Sequence, residues 1–223
     1  MKKISYYLSQ HLRQILFSIL IFLVSVILFS YIADENILEK NYDFDTSVIA
    51  FVKAHQTPLL VNVMLIVTFF GSTKFLLPAY ILIVGFFLWR HKNAIALEIG
   101  IIAGSSTLIM YLLKNYFHRH RPISVLADTL TSYSFPSGHS VSSSIFFGIL
   151  SYLVWKTNIS NFKKYLITFL LLLYTLAIGL SRIVLLVHYA TDVIAGYCFA
   201  IAWLVISFWT IKLLNETKSK KIN

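Results

Sequence analysis

Three groups of residues in this chain have the means to handle an anion, and they occur in order. Lys114 is followed seven residues later by Arg121 and then Pro122; Pro136, Ser137, Gly138 and His139 are consecutive; Ser181 and Arg182 precede His188, which Asp192 follows four residues on. Lys114, Arg121 and Arg182 supply three positive charges, and a guanidinium presents a planar fork suited to phosphate oxygens. Crowded beside an apolar run, such cations repel one another unless an anion joins them. Pro and Ser favour a helix start, whose free N–H groups and dipole suit an anion, and Gly138 permits close backbone approach. On a helix, His188 and Asp192 share one face one turn apart, so the carboxylate can accept the imidazole Nδ1 proton and leave Nε2 free. Singly, Ser137 reads as an ordinary N-cap, the His188–Asp192 pair as a satisfied core histidine, and the cations as snorkelling side chains. Together, each beside the end of an apolar run, they outweigh those readings.

The elements that must position these residues are membrane spans. Of the 223 residues, 58% are hydrophobic and 13% charged, whereas a soluble domain averages about 25% charged. Disorder is excluded by that apolar content, and a disulfide framework by the single Cys198. A net charge of +10 would suit nucleic acid, but here it is assigned to membrane topology, and no nucleic-acid partner is expected. The length fits one domain over 1–223, with a motif core at 94–211. Apolar runs at 15–32, 75–89, 94–113, 141–155, 165–180 and 190–211 read as six spans. The first is retained rather than cleaved, being longer than a signal h-region of about 7–15 residues and lacking a good cleavage site at 31–33. Segments 43–55 and 57–70 read as outer interfacial helices, the first with Phe44, Val48, Phe51 and Val52 on one side, the second too short for a span and broken at Gly71 and Ser72. The expected class is an all-α integral membrane protein of six transmembrane helices plus outer interfacial helices.

Charge sets the orientation. With the N-terminus cytoplasmic, the inner side holds Lys2, Lys3 and Arg13, then Arg90 and Lys92, Lys156, Lys163 and Lys164, and the four lysines from Lys212 onward. The first outer segment holds Asp34, Glu35, Glu39, Asp43 and Asp45. This is the positive-inside pattern, and a seventh span would invert it. Both termini are then cytoplasmic, and Lys114, Arg119, Arg121 and Arg182 fall on the outer side, with His118, His120, His139 and His188 near them. Arg119, His118 and His120 are left open between interfacial snorkelling and function.

On these motifs the chain resembles the type 2 phosphatidic acid phosphatase superfamily, whose signature is Lys-x6-Arg-Pro, Pro-Ser-Gly-His and Ser-Arg-x5-His-x3-Asp. All eleven specified positions are present. Leu186 departs from the pattern, standing where the family often has Gly. The resemblance implies a cell-membrane, multi-pass phosphatase with an outer-facing site and no cofactor or metal. It would act on lipid phosphates or polyprenyl diphosphates, most like the phosphatidylglycerophosphate phosphatase B-like and undecaprenyl-diphosphate phosphatase-like members. It assigns His188 as the nucleophile that forms a phosphohistidine and His139 as general acid, then base. Asp192 orients His188, and Lys114, Arg121, Ser137, Gly138 and Arg182 hold the phosphate. Three cations would oppose a divalent ion held by His139, His188 and Asp192. A non-catalytic lipid-binding or lipid-transporting protein on the same fold is the alternative; it predicts loss of His139 or His188, and both are present. A vanadate-binding haloperoxidase is disfavoured by the six spans. Ser140, Ser142, Ser143 and Ser144 read as bundle-lining, Cys198 as packing, Glu98 as interfacial at the inner end, and Asp128 as loop-solvating.

Overall fold

The computed structural model describes residues 2–124, 126 and 130–222, with side chains over 12–124, 126 and 130–214; Asp128 lies outside these. The described residues fold into helices without strands: α1 (Lys2–Ala33) continuing into a π-helical turn (Asp34–Leu38), α2 (Asp43–His55), α3 (Pro58–Phe69), α4 (Thr73–Trp89), α5 (Asn93–Phe117), α6 (Gly138–Trp155), α7 (Asn161–Val184) and α8 (Ala190–Ile222). Local chemistry sets several boundaries. Thr57 caps α3 by accepting from Leu60 N (3.2 Å), with Pro58 at the first helical position. Ser137 caps α6, and α5 ends where His118 turns left-handed (φ 50°).

Helix α6 is the centre of the bundle, packed against α7 and α8 and flanked by α4 and α5; α1 lies along α8 and α3 along α7. One core joins Ile99 and Ile102 of α5, Val141, Ile145 and Ile149 of α6, and Ala200 of α8. Small residues let the helices close up. A Cβ on Gly196 of α8 would stand 2.9 Å from Ser140 Cβ and 3.0 Å from Ser137 O, so only glycine admits α8 this near the start of α6. The outer surface is broadly apolar, with Ile27, Leu82, Leu108 and Leu172 exposed, as a lipid-facing bundle requires.

Five described stretches are long and apolar enough to cross a membrane: Leu12–Leu38, Pro58–Trp89, Asn93–Phe117, Asn161–Val184 and Ala190–Leu214. The run expected at 141–155 forms a helix, but α6 is not among the five. Its first turns carry His139 and four serines, of which Ser140 and Ser143 are fully buried. A helix enclosed by other helices does not need the apolar face that lipid demands. Pro58–Trp89 qualifies as one stretch although the chain turns at 70–72, so α3 adjoins the apolar α4 at that turn. The inward side of α2 also differs from expectation: it presents Asp45, Val48, Ile49 and Val52, while Phe44 and Phe51 are exposed. Asp45 is drawn in by partners on two other segments, described below.

Candidate active site

The α7–α8 connection delivers His188. Arg182 O accepts from both Val187 N (3.1 Å) and His188 N (3.3 Å), and Leu186 between the helices adopts a left-handed conformation (φ 53°). That tight reversal lets the chain pass from α7 to α8 within five residues. Glycine takes this conformation freely, whereas a leucine is strained by about 1–2 kcal/mol. Ser124 Oγ donates to Leu186 O (2.8 Å) and helps hold the turn.

Asp192, in the first turn of α8, uses its two oxygens separately. Oδ2 faces His188 Nδ1 at 3.3 Å, accepts from Tyr189 N (2.9 Å) and accepts from the Ser134 hydroxyl. Oδ1 accepts from Arg119 (2.6 Å). His188 Nε2 accepts from Arg121 at 3.0 Å. An arginine donates only, so Nε2 is the unprotonated nitrogen and Nδ1 carries the proton toward Asp192. Burial lowers the His188 pKa to about 3; Asp192 opposes the shift, and Lys114 and Arg121 add to it. The imidazole is therefore neutral near pH 7. Arg121 also donates to Val187 O (2.7 Å) and Ser132 O (2.9 Å), and burial holds its pKa below the usual value.

The remaining sequence-predicted residues line the same region. Lys114 Nζ donates to Tyr133 O (2.7 Å) and Ser134 O (3.2 Å). Ser137 accepts at Oγ from Ser140, and its own N–H goes to Asp192 O (3.0 Å), joining the start of α6 to α8. Gly138 packs near the Lys114 stem, where a Cβ would lie 3.7 Å from Cε. Arg182 donates to Thr68 Oγ1 (2.7 Å), while its Nε is buried with no hydrogen-bond partner. His139 lies within electrostatic reach of Arg182, His188, Arg121 and Lys114. It rests against the α3–α4 turn: a Cβ on Gly71 would stand 3.2 Å from its Cδ2 and 2.5 Å from Ile178 Cγ2. An open cavity of about 450 Å³ adjoins Arg121, lined in part by Arg119, His120, Ile123, Leu130 and Tyr133. Among the described residues, no three His, Cys, Asp or Glu side chains are grouped so as to hold a metal ion.

Two further buried charges, Arg119 and Asp45, join the site. Arg119 does not snorkel. It is buried and bridges Asp192 Oδ1 (2.6 Å) and Asp45 Oδ2 (2.7 Å), with the Tyr189 ring 4.1 Å from its guanidinium carbon. Burial opposes its charge, but Asp192 and Asp45 outweigh that and hold its pKa above the usual value. The signal for Asp45 was its register: it stands three and seven residues before Val48 and Val52, on their side of α2. By contrast, His118 sets its ring against Tyr133, as does His120 more distantly, and no hydrogen bond joins either ring to His188.

A family model described as the PAP2 superfamily matches residues 95–216. A Bacillus subtilis (strain 168) protein named phosphatidylglycerophosphatase B is 30% identical over 162 residues, covering 71% of this chain and 77% of its own. The fold is similar to the crystal structure of a transmembrane PAP2-type phosphatidylglycerolphosphate phosphatase from Bacillus subtilis, with a TM-score of 0.71 and 25% identity over 87% of this chain and 96% of that one. It is also similar to Aquifex aeolicus LpxE, with a TM-score of 0.58 and 23% identity over 75% and 96% of the two chains, a likeness of fold alone.

Proposed function

Because this chain belongs to the PAP2 superfamily, we propose that its buried histidine and cations hydrolyse lipid phosphates or polyprenyl diphosphates at the outer face of the cell membrane, without metal or cofactor. The observation that carries the reading is His188: a neutral imidazole with Nδ1 on Asp192 and Nε2 turned to Arg121, under the charges of Lys114 and Arg121. In the first step His139, kept neutral by burial and the neighbouring cations until the phosphate is bound, takes up a proton with the phosphate's negative charge; His188 Nε2 attacks phosphorus, the bond to the leaving oxygen breaks, and His139 gives that oxygen the proton. In the second, water attacks the phosphohistidine, His139 takes a proton from the water, and the N–P bond breaks to release inorganic phosphate. Asp192 holds the Nδ1 proton and balances the charge that develops on the ring. Lys114, Arg121, Arg182 and the N–H groups near Ser137 and Gly138 hold the phosphoryl oxygens in the place a metal would otherwise take. The partnerless Nε of Arg182 is a donor ready for one of them. Arg121 must leave Nε2 before attack, and an arriving phosphate is a better partner for it than a neutral imidazole. The apolar Ile123 and Leu130 beside the cavity suit a lipid chain entering from the side.

The deciding experiment is phosphate release by purified protein from phosphatidylglycerophosphate, phosphatidate, lysophosphatidate and undecaprenyl diphosphate, with EDTA present. Release from at least one substrate, abolished by His188→Ala, is expected. No release, or a strict need for Mg²⁺ or Zn²⁺, overturns the reading.

A further inference from the structure

We propose that Arg119 and Asp45 are positioning residues that set the orientation of Asp192, and through it His188, by a buried carboxylate–guanidinium–carboxylate bridge tying α2 to α8. The inference rests on the role for His188 and Asp192 proposed above. Its geometry is independent of that role.

A carboxylate held by one oxygen can swing about its χ2 torsion. Asp192 is held by both, with Oδ1 on Arg119 and Oδ2 shared by Tyr189 N, Ser134 and His188. Arg119 thus fixes the carboxylate plane that aims Oδ2 at the imidazole. Arg119 is itself held from beyond the site. Asp45, with no exposed surface, takes the second guanidinium nitrogen at 2.7 Å. The same carboxylate accepts from Thr191 N (3.0 Å) and Thr191 Oγ1 (2.5 Å). Thr191 N is one of the first-turn amides that α8 cannot satisfy within itself. A side chain from α2 therefore caps the helix that carries Asp192, and Arg119 closes the ring by donating to Thr191 Oγ1 as well (2.8 Å). The rings of Tyr189 and Tyr42 lie 4.1 and 5.6 Å from the guanidinium and cover it. With both terminal nitrogens committed to carboxylates and only its buried Nε without a partner, Arg119 differs from Lys114, Arg121 and Arg182 in bridging two carboxylates. Lysine cannot span both carboxylates, because its ammonium is a single point.

The test compares Asp45→Asn, which keeps the shape of the side chain, with Arg119→Lys, each alone and combined with Asp192→Asn, in single-turnover phosphoenzyme formation. Each single variant should slow that step about 10- to 100-fold, with KM changed less than about threefold, roughly 0.6 kcal/mol. In the Asp192→Asn background neither should slow it further, because both act through Asp192. A second readout does not depend on turnover: ¹⁵N spectra of labelled His188 should show the Nδ1–H tautomer in the unmodified protein and a tautomer mixture in Arg119→Lys. Losses that stay additive with Asp192→Asn, or that fall on KM, would overturn the proposal in favour of packing or of direct phosphate binding. An unchanged tautomer would overturn it as well. If the unmodified protein releases no phosphate while the tautomer still responds to Arg119→Lys, the bridge stands and the phosphatase reading fails.

Discussion

The proposed mechanism gives each histidine of the site a distinct job, and each job has its own signature. His188→Ala removes the nucleophile, so no acid-labile phosphoenzyme should be trapped from any substrate. His139→Ala leaves the nucleophile and removes the acid of the first step and the base of the second. A substrate that leaves readily, such as p-nitrophenyl phosphate, should then lose far less in the first step than a lipid phosphate, whose alkoxide needs the proton. Equal losses on both would show that His139 is not the acid. Protonation gives a further check. Burial keeps His188 neutral, with a pKa near 3 in the folded protein. Labelled His188 should therefore remain neutral at pH 5 by ¹⁵N chemical shift, and an imidazolium there would contradict the buried geometry. The linkage has a definite sign. Below about pH 6.5 the unfolded chain binds a proton that the folded protein does not, so this residue's contribution to stability is lost as pH falls toward 3.

Two turns between elements make their own predictions. Gly71 lies between α3 and α4 with His139 and the buried Ile178 against it. Gly71→Ala places a methyl 2.5 Å from Ile178 Cγ2 and 3.2 Å from His139 Cδ2, so Ile178 or the α3–α4 turn must shift and His139 is crowded. Overpacking of this kind costs about 1–3 kcal/mol, and turnover should fall by more than the loss of folded protein explains. Leu186 offers an inversion of the usual order. At an ordinary buried position glycine is worse than alanine by roughly 0.5–1 kcal/mol. At φ 53° alanine keeps the strain and glycine removes it. Both lose the leucine's packing, so Leu186→Gly should melt above Leu186→Ala in detergent. The opposite order would mean that the turn is not strained. Spacing alone made the turn legible, because Arg182, His188 and Asp192 had to meet. It could not reveal the bridge. Arg119 and Asp45 are 74 residues apart; Arg119 is an unspecified position of the first motif, Asp45 lies outside all three, and a charge becomes interpretable only once its partner is known. The run 141–155 reads as a span and its serines as bundle-lining, and α6 forms as an enclosed helix that is not itself apolar enough to count among the five candidate spans.

At the scale of the molecule, the proposed orientation can be tested with the protein's own cysteine economy. Cys198 is its only cysteine and is buried in α8. In a Cys198→Ser background, a cysteine at Thr131 should react with an impermeant maleimide from outside intact cells, and one at Lys220 should not. The reverse result would put the phosphate pocket on the cytoplasmic side. The bridge from α2 to α8 also bears on how the protein comes to be active as it is made. Asp45 leaves the ribosome early, Arg119 midway, and Thr191 and Asp192 with the final helix. Until that helix is in place, Asp45 has no amide to cap and Arg119 has one aspartate instead of two. The site does not gain function span by span. On the proposed mechanism, a chain that ends at α7 lacks His188 and Asp192 and should form no phosphoenzyme, however many of its cations are in place.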